Sequence, residues 1–455
     1  MDYKESKYNI AISNNMGTNI LYNTRTGRYV VLSQKVWNTF RKIICGDMRH
    51  DTVEKYLIEN GFCVDKNSDE SIPLFVDGSA KNLNVTIMPT MACNFRCPYC
   101  FEEHISQRMT GDIENAVIDY LKERVKGYNH LHVQWYGGEP LLEMDIITRL
   151  STRILELCNE NSIPYTSSMT TNGFFLSWKN YLKLKSMHIR SYVVTIDGIK
   201  QDHDKTRIQS NGAPSFDQIV ENLTTIRDRD HSALTRFIIR TNYTASSIQN
   251  KNEWEQWLNK NFLNDFRFKY IPRYAWDNYK GTYDEKQYIS FEFNDNVDIV
   301  DLIDIDLLSS TTLNEELFSC VEQCLLDLHN RTLLCVAGQK NSITIAPNGH
   351  LLKCQVLIDN PINDVGAVDS ATGKIYTCPQ KLAYWETRGE EYQFCMKCPL
   401  YPFCLSRGCA AKTGDIDKIN ERWCSALRKQ VEKYLTILSY KSISCDVEET
   451  LESIK

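Results

Sequence analysis

The chain has 455 residues, 42% of them hydrophobic and 24% charged, with a formal charge of −6. That length predicts two to four domains. The acidic balance argues against a nucleic-acid partner, and no apolar run of about eighteen residues marks a membrane span. The polar start, Met1-Asp2-Tyr3-Lys4-Glu5, does not read as a signal peptide, so a cytoplasmic protein without membrane partners is expected. Seventeen cysteines are many for such a chain; without an export signal they read as metal ligands rather than disulfides.

In chain order, residues 1–75 form a first unit. Asn19–Asn23 and Arg28–Leu32 read as strands around a Thr24–Gly27 turn. Ser33 is placed to cap a helix bearing Val36, Trp37, Phe40, Ile43 and Ile44, and Asp51 with Glu54 reads as the capping box of a second helix ending at Gly61. Residues 76–272 alternate strand and helix, with apolar strands near 83–89, 131–136, 164–170, 191–196, 235–243 and 265–271. This alternation predicts a parallel α/β sheet, whose sites lie at the C-terminal strand ends. Residues 273–330 read as a linker with one or two helices. Residues 331–455 hold most of the remaining cysteines and a closing helix near Ala426–Ile437, expected to pack back on the sheet. Cys45, Cys63, Cys158 and Cys445 stand alone and read as packing residues.

The motifs cluster at strand ends. Cys93, Cys97 and Cys100 are spaced C-x3-C-x2-C directly after the first apolar strand. Three thiolates so spaced suit a four-iron cluster with one iron left open. Gly137-Gly138-Glu139-Pro140 follows the second strand; glycines let backbone approach a ligand, and a carboxylate accepts from an ammonium. Ser168-Met169-Thr170-Thr171-Asn172-Gly173 ends the third strand, and Thr195-Ile196-Asp197-Gly198, followed by His203-Asp204-x-x-Arg207, ends the fourth. Further on, Cys335, Gly349 and Cys354 precede Cys395, Cys398, Cys404, Cys409 and Cys424. Their C-x2-C spacing suits zinc as well as iron.

These motifs resemble the radical S-adenosylmethionine (SAM) enzymes, and the later cysteines resemble the SPASM domain fused to many of them. The resemblance implies a partial six-fold (β/α) barrel with an N-terminal winged-helix peptide-recognition domain and a C-terminal SPASM domain. In that family the open iron chelates SAM, which is cleaved to a 5′-deoxyadenosyl radical. It implies SAM contacts from Tyr99, Gly137, Gly138, Glu139, Pro140, Ser168, Asn172 and Arg207. It implies three [4Fe–4S] clusters. One is on Cys93, Cys97 and Cys100, one on Cys395, Cys398, Cys404 and Cys424, and one on Cys335, Cys354 and Cys409. Four residues, where the SPASM pattern has three, separate Cys404 from Cys409. Asn341 stands where some relatives have a further cysteine, which leaves the last cluster either with an open iron or with Cys320 or Cys324 as a ligand; Cys378 is unassigned.

The architecture resembles maturases of ribosomally made peptides. It implies a precursor peptide bound by its leader, a reductant such as flavodoxin or ferredoxin, and cross-links of thioether (sactipeptide or ranthipeptide) type or another side-chain type. An anaerobic sulfatase-maturing enzyme is the second reading; those enzymes carry an aspartate where Gln355 follows Cys354, and a glutamine cannot take a proton. A non-catalytic iron–sulfur carrier or scaffold is the third.

Overall fold

The computed structural model describes residues 3–70, 81–275, 315–329, 336–369, 372, 374–386, 397–404, 421–442 and 445–452. The chain divides into two compact units. One comprises Met1–Val76, Glu292–Leu334 and Arg388–Lys455; the other comprises Asp77–Phe291 and Cys335–Thr387. The stretch 331–455, expected as one domain, is thus shared between the two units.

In the first unit β1 (Tyr3–Glu5) pairs with β5 (Cys63–Asp65), and β2 (Asn9–Ser13), β3 (Thr18–Asn23) and β4 (Arg28–Ser33) form an antiparallel sheet in that order. The expected hairpin is β3–β4; β1, β2 and β5 are additional. The apolar runs of β3 and β4 are continuous because both faces are covered. Leu21, Val30 and Leu32 pack on Val36, Phe40 and Ile43 of α1 (Gln34–Cys45) and Leu57 of α2 (Asp51–Glu59). Ile20, Tyr22 and Val31 face Leu317, Phe318 and Val321 of the helix Glu315–His329 and Val431, Tyr434 and Leu435 of the helix Glu421–Leu438. The closing helix therefore packs on the N-terminal sheet, because its apolar stripe matches the sheet's second buried face.

Two local expectations are corrected. The N-cap of α2 is His50, whose Nδ1 accepts from the Val53 N–H at 3.4 Å while Glu54 accepts from the His50 N–H at 3.0 Å, so Asp51 is the first helical residue. Cys45 is exposed at the end of α1 rather than packed inside, while Cys63 and Cys158 are buried.

The second unit is built on a sheet of ten strands. β6 (Asn82–Ile87), β7 (His130–Trp135), β8 (Tyr165–Thr171), β9 (Ile189–Thr195), β10 (Arg236–Tyr243) and β11 (Phe268–Tyr274) run parallel in chain order. These are the six expected strands, and helices fill the intervals between them. The sheet continues past β6: β12 (Ser342–Ile345) pairs parallel to it, and β13 (His350–Leu352), β14 (Asp364–Val368) and β15 (Ile375–Thr377) follow antiparallel. Alternate residues such as Leu131, Val133 and Trp135 are fully buried. Their neighbours His132 and Gln134 sit on the other, half-buried face, as a strand period of two requires. Among the described residues no helix is long and apolar enough to cross a membrane.

Candidate functional site

The loops at the C-terminal ends of β6 and β7 are locked together by backbone, and the loop after β8 joins them through Glu139. The Gly138 N–H donates to Thr90 O at 3.2 Å and the Glu139 N–H to Ala92 O at 2.8 Å. This approach is what the Gly-Gly pair permits. A Cβ on Gly137, whose φ is +114°, would sit 2.4 Å from Thr90 O, and one on Gly138 would sit 2.3 Å from Ala92 O. Glu139 is fully buried beneath this junction. Its carboxylate accepts from Leu141 N at 3.0 Å, Thr171 Oγ1 at 2.8 Å and Asn172 N at 2.7 Å. Burial pushes the carboxyl pKa up, and those three hydrogen bonds oppose the shift.

A second junction is centred on Asp197, also fully buried. Its Oδ1 accepts from the Asn242 N–H at 3.0 Å, and its Oδ2 from Thr206 Oγ1 at 3.1 Å and from the Tyr99 hydroxyl. Arg207 Nη1 and Asn242 Nδ2 each donate to the Tyr99 oxygen at 3.3 Å. The Arg207 guanidinium lies over the Phe95 ring, 5.4 Å from its centre. Burial opposes the Arg207 charge, but Cys97, Tyr99 and Asp197 outweigh it and the guanidinium stays charged. The rest of the His203–Arg207 stretch is scaffolding. His203 Nδ1 accepts from the Asp197 N–H at 3.1 Å, and Asp204 Oδ1 accepts from the N–H groups of Ser215 and Phe216 at 2.9 and 3.0 Å, where a helix begins.

Between the two junctions lies a cleft with an empty volume of about 820 Å³, part of it open to solvent. It is lined by Cys93, Cys97, Cys100 and Tyr99, with Gly137, Gly138, Asn172 and Arg207 from the other motifs. The structure thus brings eight of the expected residues to one cleft. Glu139 and Pro140 lie beneath it, and Ser168 lies deeper on the sheet, its Oγ 2.9 Å from His132 Nε2; none of these three is in the lining. Thr170, Thr195, Asn242, Glu102 and Arg240 do line it and were not singled out from sequence. Thr170 and Thr195 fall inside quoted motifs, whereas nothing local marks Asn242 or Arg240.

The lining fits an iron–sulfur cluster with a bound organic ligand. Burial pushes the Cys93 and Cys100 thiols up to about 12 and raises Cys97 as well, so lone thiolates are unfavourable here without a compensating cation. Among the described residues no three His, Cys, Asp or Glu side chains converge on a single metal ion. The three cysteines all line the same cleft. Asn94 Nδ2, Glu102 Oε2 and Arg207 Nε are buried around the cleft without hydrogen-bond partners, places where a polar ligand has bonds to make. Burial, with the nearby Glu139 charge, pushes the Glu102 carboxyl up to about 8.

The later cysteines are placed in part. Cys354 follows β13, half-buried, its Sγ accepting from the Val356 N–H at 3.4 Å. Cys398 and Cys324 are half-buried in the other unit, and Cys324 packs against its core. Cys404 and Cys424 fall on helices, though their side chains lie outside the described residues, as does that of Cys320. Cys335, Cys395 and Cys409 lie outside the described residues altogether. Asn341 bonds to the start of β6, its carbonyl accepting from the Asn84 N–H at 2.8 Å.

Residues 87–256 match the Radical SAM superfamily, and this part of the chain is a radical SAM domain. Over 206 residues, 42% of this chain and 51% of the relative, it is 26% identical to a cysteine-type anaerobic sulfatase-maturating enzyme of Clostridium novyi. Over 284 residues, 54% of this chain and 58% of the relative, it is 24% identical to the radical SAM cyclopropyl synthase TigE of Paramaledivibacter caminithermalis. The chain spans about half the length of the curated relatives it matches. The solved structure of native anSMEcpe with bound AdoMet shares the fold, with a TM-score of 0.55 at 15% identity, covering 82% of this chain and 100% of that one.

Proposed function

We propose that this chain is a radical SAM peptide maturase that installs cross-links, thioethers first among them, in a ribosomally made precursor peptide. The carrying observation is the shared cleft of Cys93, Cys97 and Cys100 with Gly137, Gly138, Asn172 and Arg207 at the C-terminal ends of parallel strands. When bound there, a cluster with SAM supplies a 5′-deoxyadenosyl radical. The residues then have separate tasks. The cysteines hold the iron. Backbone at Gly137–Gly138 and the charged fork of Arg207 suit the amino-acid end of SAM, while Tyr99, Asn172 and Thr195 flank its nucleoside. Glu139 and Asp197 are positioning residues beneath them.

Two further [4Fe–4S] clusters on the Cys335–Cys424 set would accept the surplus electron, and a flavodoxin- or ferredoxin-like protein would supply the initiating one. The three-stranded sheet β2–β3–β4 backed by α1 and α2 supports a leader-recognition role by strand addition.

The similarity to a sulfatase-maturating enzyme keeps a second reading alive, in which a peptide cysteine or serine is oxidised to formylglycine. Gln355 counts against it: its Nε2 donates to Thr86 and Gln134, and an amide is no base. Coexpression with a candidate short precursor peptide separates the readings. Cross-linking lowers the peptide mass by two hydrogens per bond and consumes free thiol. Conversion of cysteine to an aldehyde at one residue supports the second reading, and an unchanged mass overturns both.

A further inference from the structure

Thr86 of β6, Gln134 of β7 and Thr170 of β8 form, with Gln355 from the loop after β13, one directed hydrogen-bond chain. Gln355, next to Cys354, donates through Nε2 to Thr86 Oγ1 at 2.7 Å and to Gln134 Oε1 at 2.9 Å. Thr86 Oγ1 donates to the same Gln134 oxygen at 3.3 Å, and Gln134 Nε2 donates to Thr170 Oγ1 at 3.4 Å. An amide oxygen only accepts and an amide nitrogen only donates, so these contacts fix the direction of every bond. Besides the second N–H of Gln134, two capacities are left over at the ends of the chain. Thr170 accepts from Gln134 and keeps its own proton for the cleft that it lines. Gln355 Oε1 accepts no hydrogen bond among the described residues. Thr86 is buried, whereas Gln134, Thr170 and Gln355 are half-buried, and of the four Thr170 lines the cleft.

The chain is neutral throughout and ends in one donor and one acceptor. A peptide backbone offers the complement of both, whereas a carboxylate or ammonium would be desolvated here without a counter-charge. Arg240 lines the cleft outside this chain, with its Nε donating to Asn242 Oδ1 at 3.0 Å.

We propose that Thr170 and Gln355 form a neutral amide-reading subsite at the radical SAM cleft, the Thr170 hydroxyl donating to a peptide carbonyl and Gln355 Oε1 accepting a peptide N–H. This rests on the reading of the substrate as a peptide, and it gives that peptide's reacting segment a backbone anchor inside the sheet. It also assigns a function to glutamine after Cys354: Gln355 reads the substrate and moves no proton.

The test is a binding titration on the full chain with its clusters reconstituted and no reductant, so that no turnover occurs. The probe is N-acetyl-L-alanine N′-methylamide, compared with N-acetyl-L-alaninate and read by saturation-transfer NMR. The subsite predicts that the diamide binds in preference to the carboxylate. Thr170→Val and Gln355→Leu should each weaken it roughly tenfold, the size of one lost hydrogen bond, and Thr170→Ser should stay within about twofold. If Thr170→Val does not fold, Gln355→Leu decides alone. Preference for the carboxylate, no diamide binding to the wild type, or wild-type diamide affinity in the folded substitutions overturns the proposal. Because turnover is not read, failure here leaves SAM cleavage standing, and absence of SAM cleavage leaves this subsite standing.

Discussion

Glu139 accepts the backbone N–H of Asn172 at 2.7 Å, joining the loop after β7 to the loop after β8 beneath the cysteine-lined cleft. Because its two oxygens also take Leu141 N and Thr171 Oγ1, the carboxylate is a joint between loops as well as a charge beside the cleft. Glu139→Gln must turn an N–H2 toward at least one of those donors. Leaving a buried group unsatisfied costs about 1–3 kcal/mol. Chemical denaturation should show a loss of that size, together with weaker SAM binding; an unchanged midpoint would mean that the joint contributes nothing to stability.

The Gly-Gly pair gives a sharper contrast. Gly138→Ala places a methyl 2.3 Å from Ala92 O, so the segment leading into Cys93 must move. At Gly111, the first residue of a helix, an added Cβ meets nothing within 4 Å. Anaerobically purified Gly138→Ala is therefore expected to lose about a third of its iron relative to wild type in a colorimetric assay, the share of one four-iron cluster in three, while Gly111→Ala keeps all of it. Equal iron in both would refute the close-approach account.

His203 predicts a pH dependence. It is fully buried, its Nδ1 accepts the Asp197 N–H, and its Nε2 lies 3.0 Å from Ser215 Oγ. Burial, aided by the Arg207 charge, holds its pKa well below the usual 6.5. A group whose folded pKa is depressed in this way gives the unfolded chain the greater proton affinity. Its stabilising contribution is complete above pH 6.5 and is lost as pH falls from there toward the folded-state value. Between pH 7 and pH 5 the wild type should lose more unfolding free energy than His203→Gln. Parallel curves would show that His203 does not titrate in the transition.

Much of this site was legible in the chain because its chemistry is local. Cys93, Cys97 and Cys100 lie within one loop, Gly137 and Gly138 are required by one backbone crossing, and five of the six parallel strands carry an apolar run, while β8, Tyr165–Thr171, is largely polar. What escaped depends on distant partners. Asp197 was visible as a motif residue, but its role as a junction follows from Tyr99, Thr206 and Asn242 arriving from three other segments. The Gln355 chain joins residues up to 269 positions apart. β12 to β15 were missed because they are only three to five residues long, and the pairing of β12 with β6, on which the other three build, is set by the sheet's open edge rather than by their own pattern. The closing helix showed its apolar stripe but not its partner, which is the second buried face of the N-terminal sheet.

The most direct measurement of the central claim is 5′-deoxyadenosine formation. Anaerobically reconstituted protein is incubated with SAM and dithionite, and the product is quantified by chromatography for wild type and for Cys97→Ala. The account predicts 5′-deoxyadenosine from the wild type and none above background from Cys97→Ala, with that variant still folded by circular dichroism. A wild type that makes none, or a Cys97→Ala variant that makes as much, would contradict it.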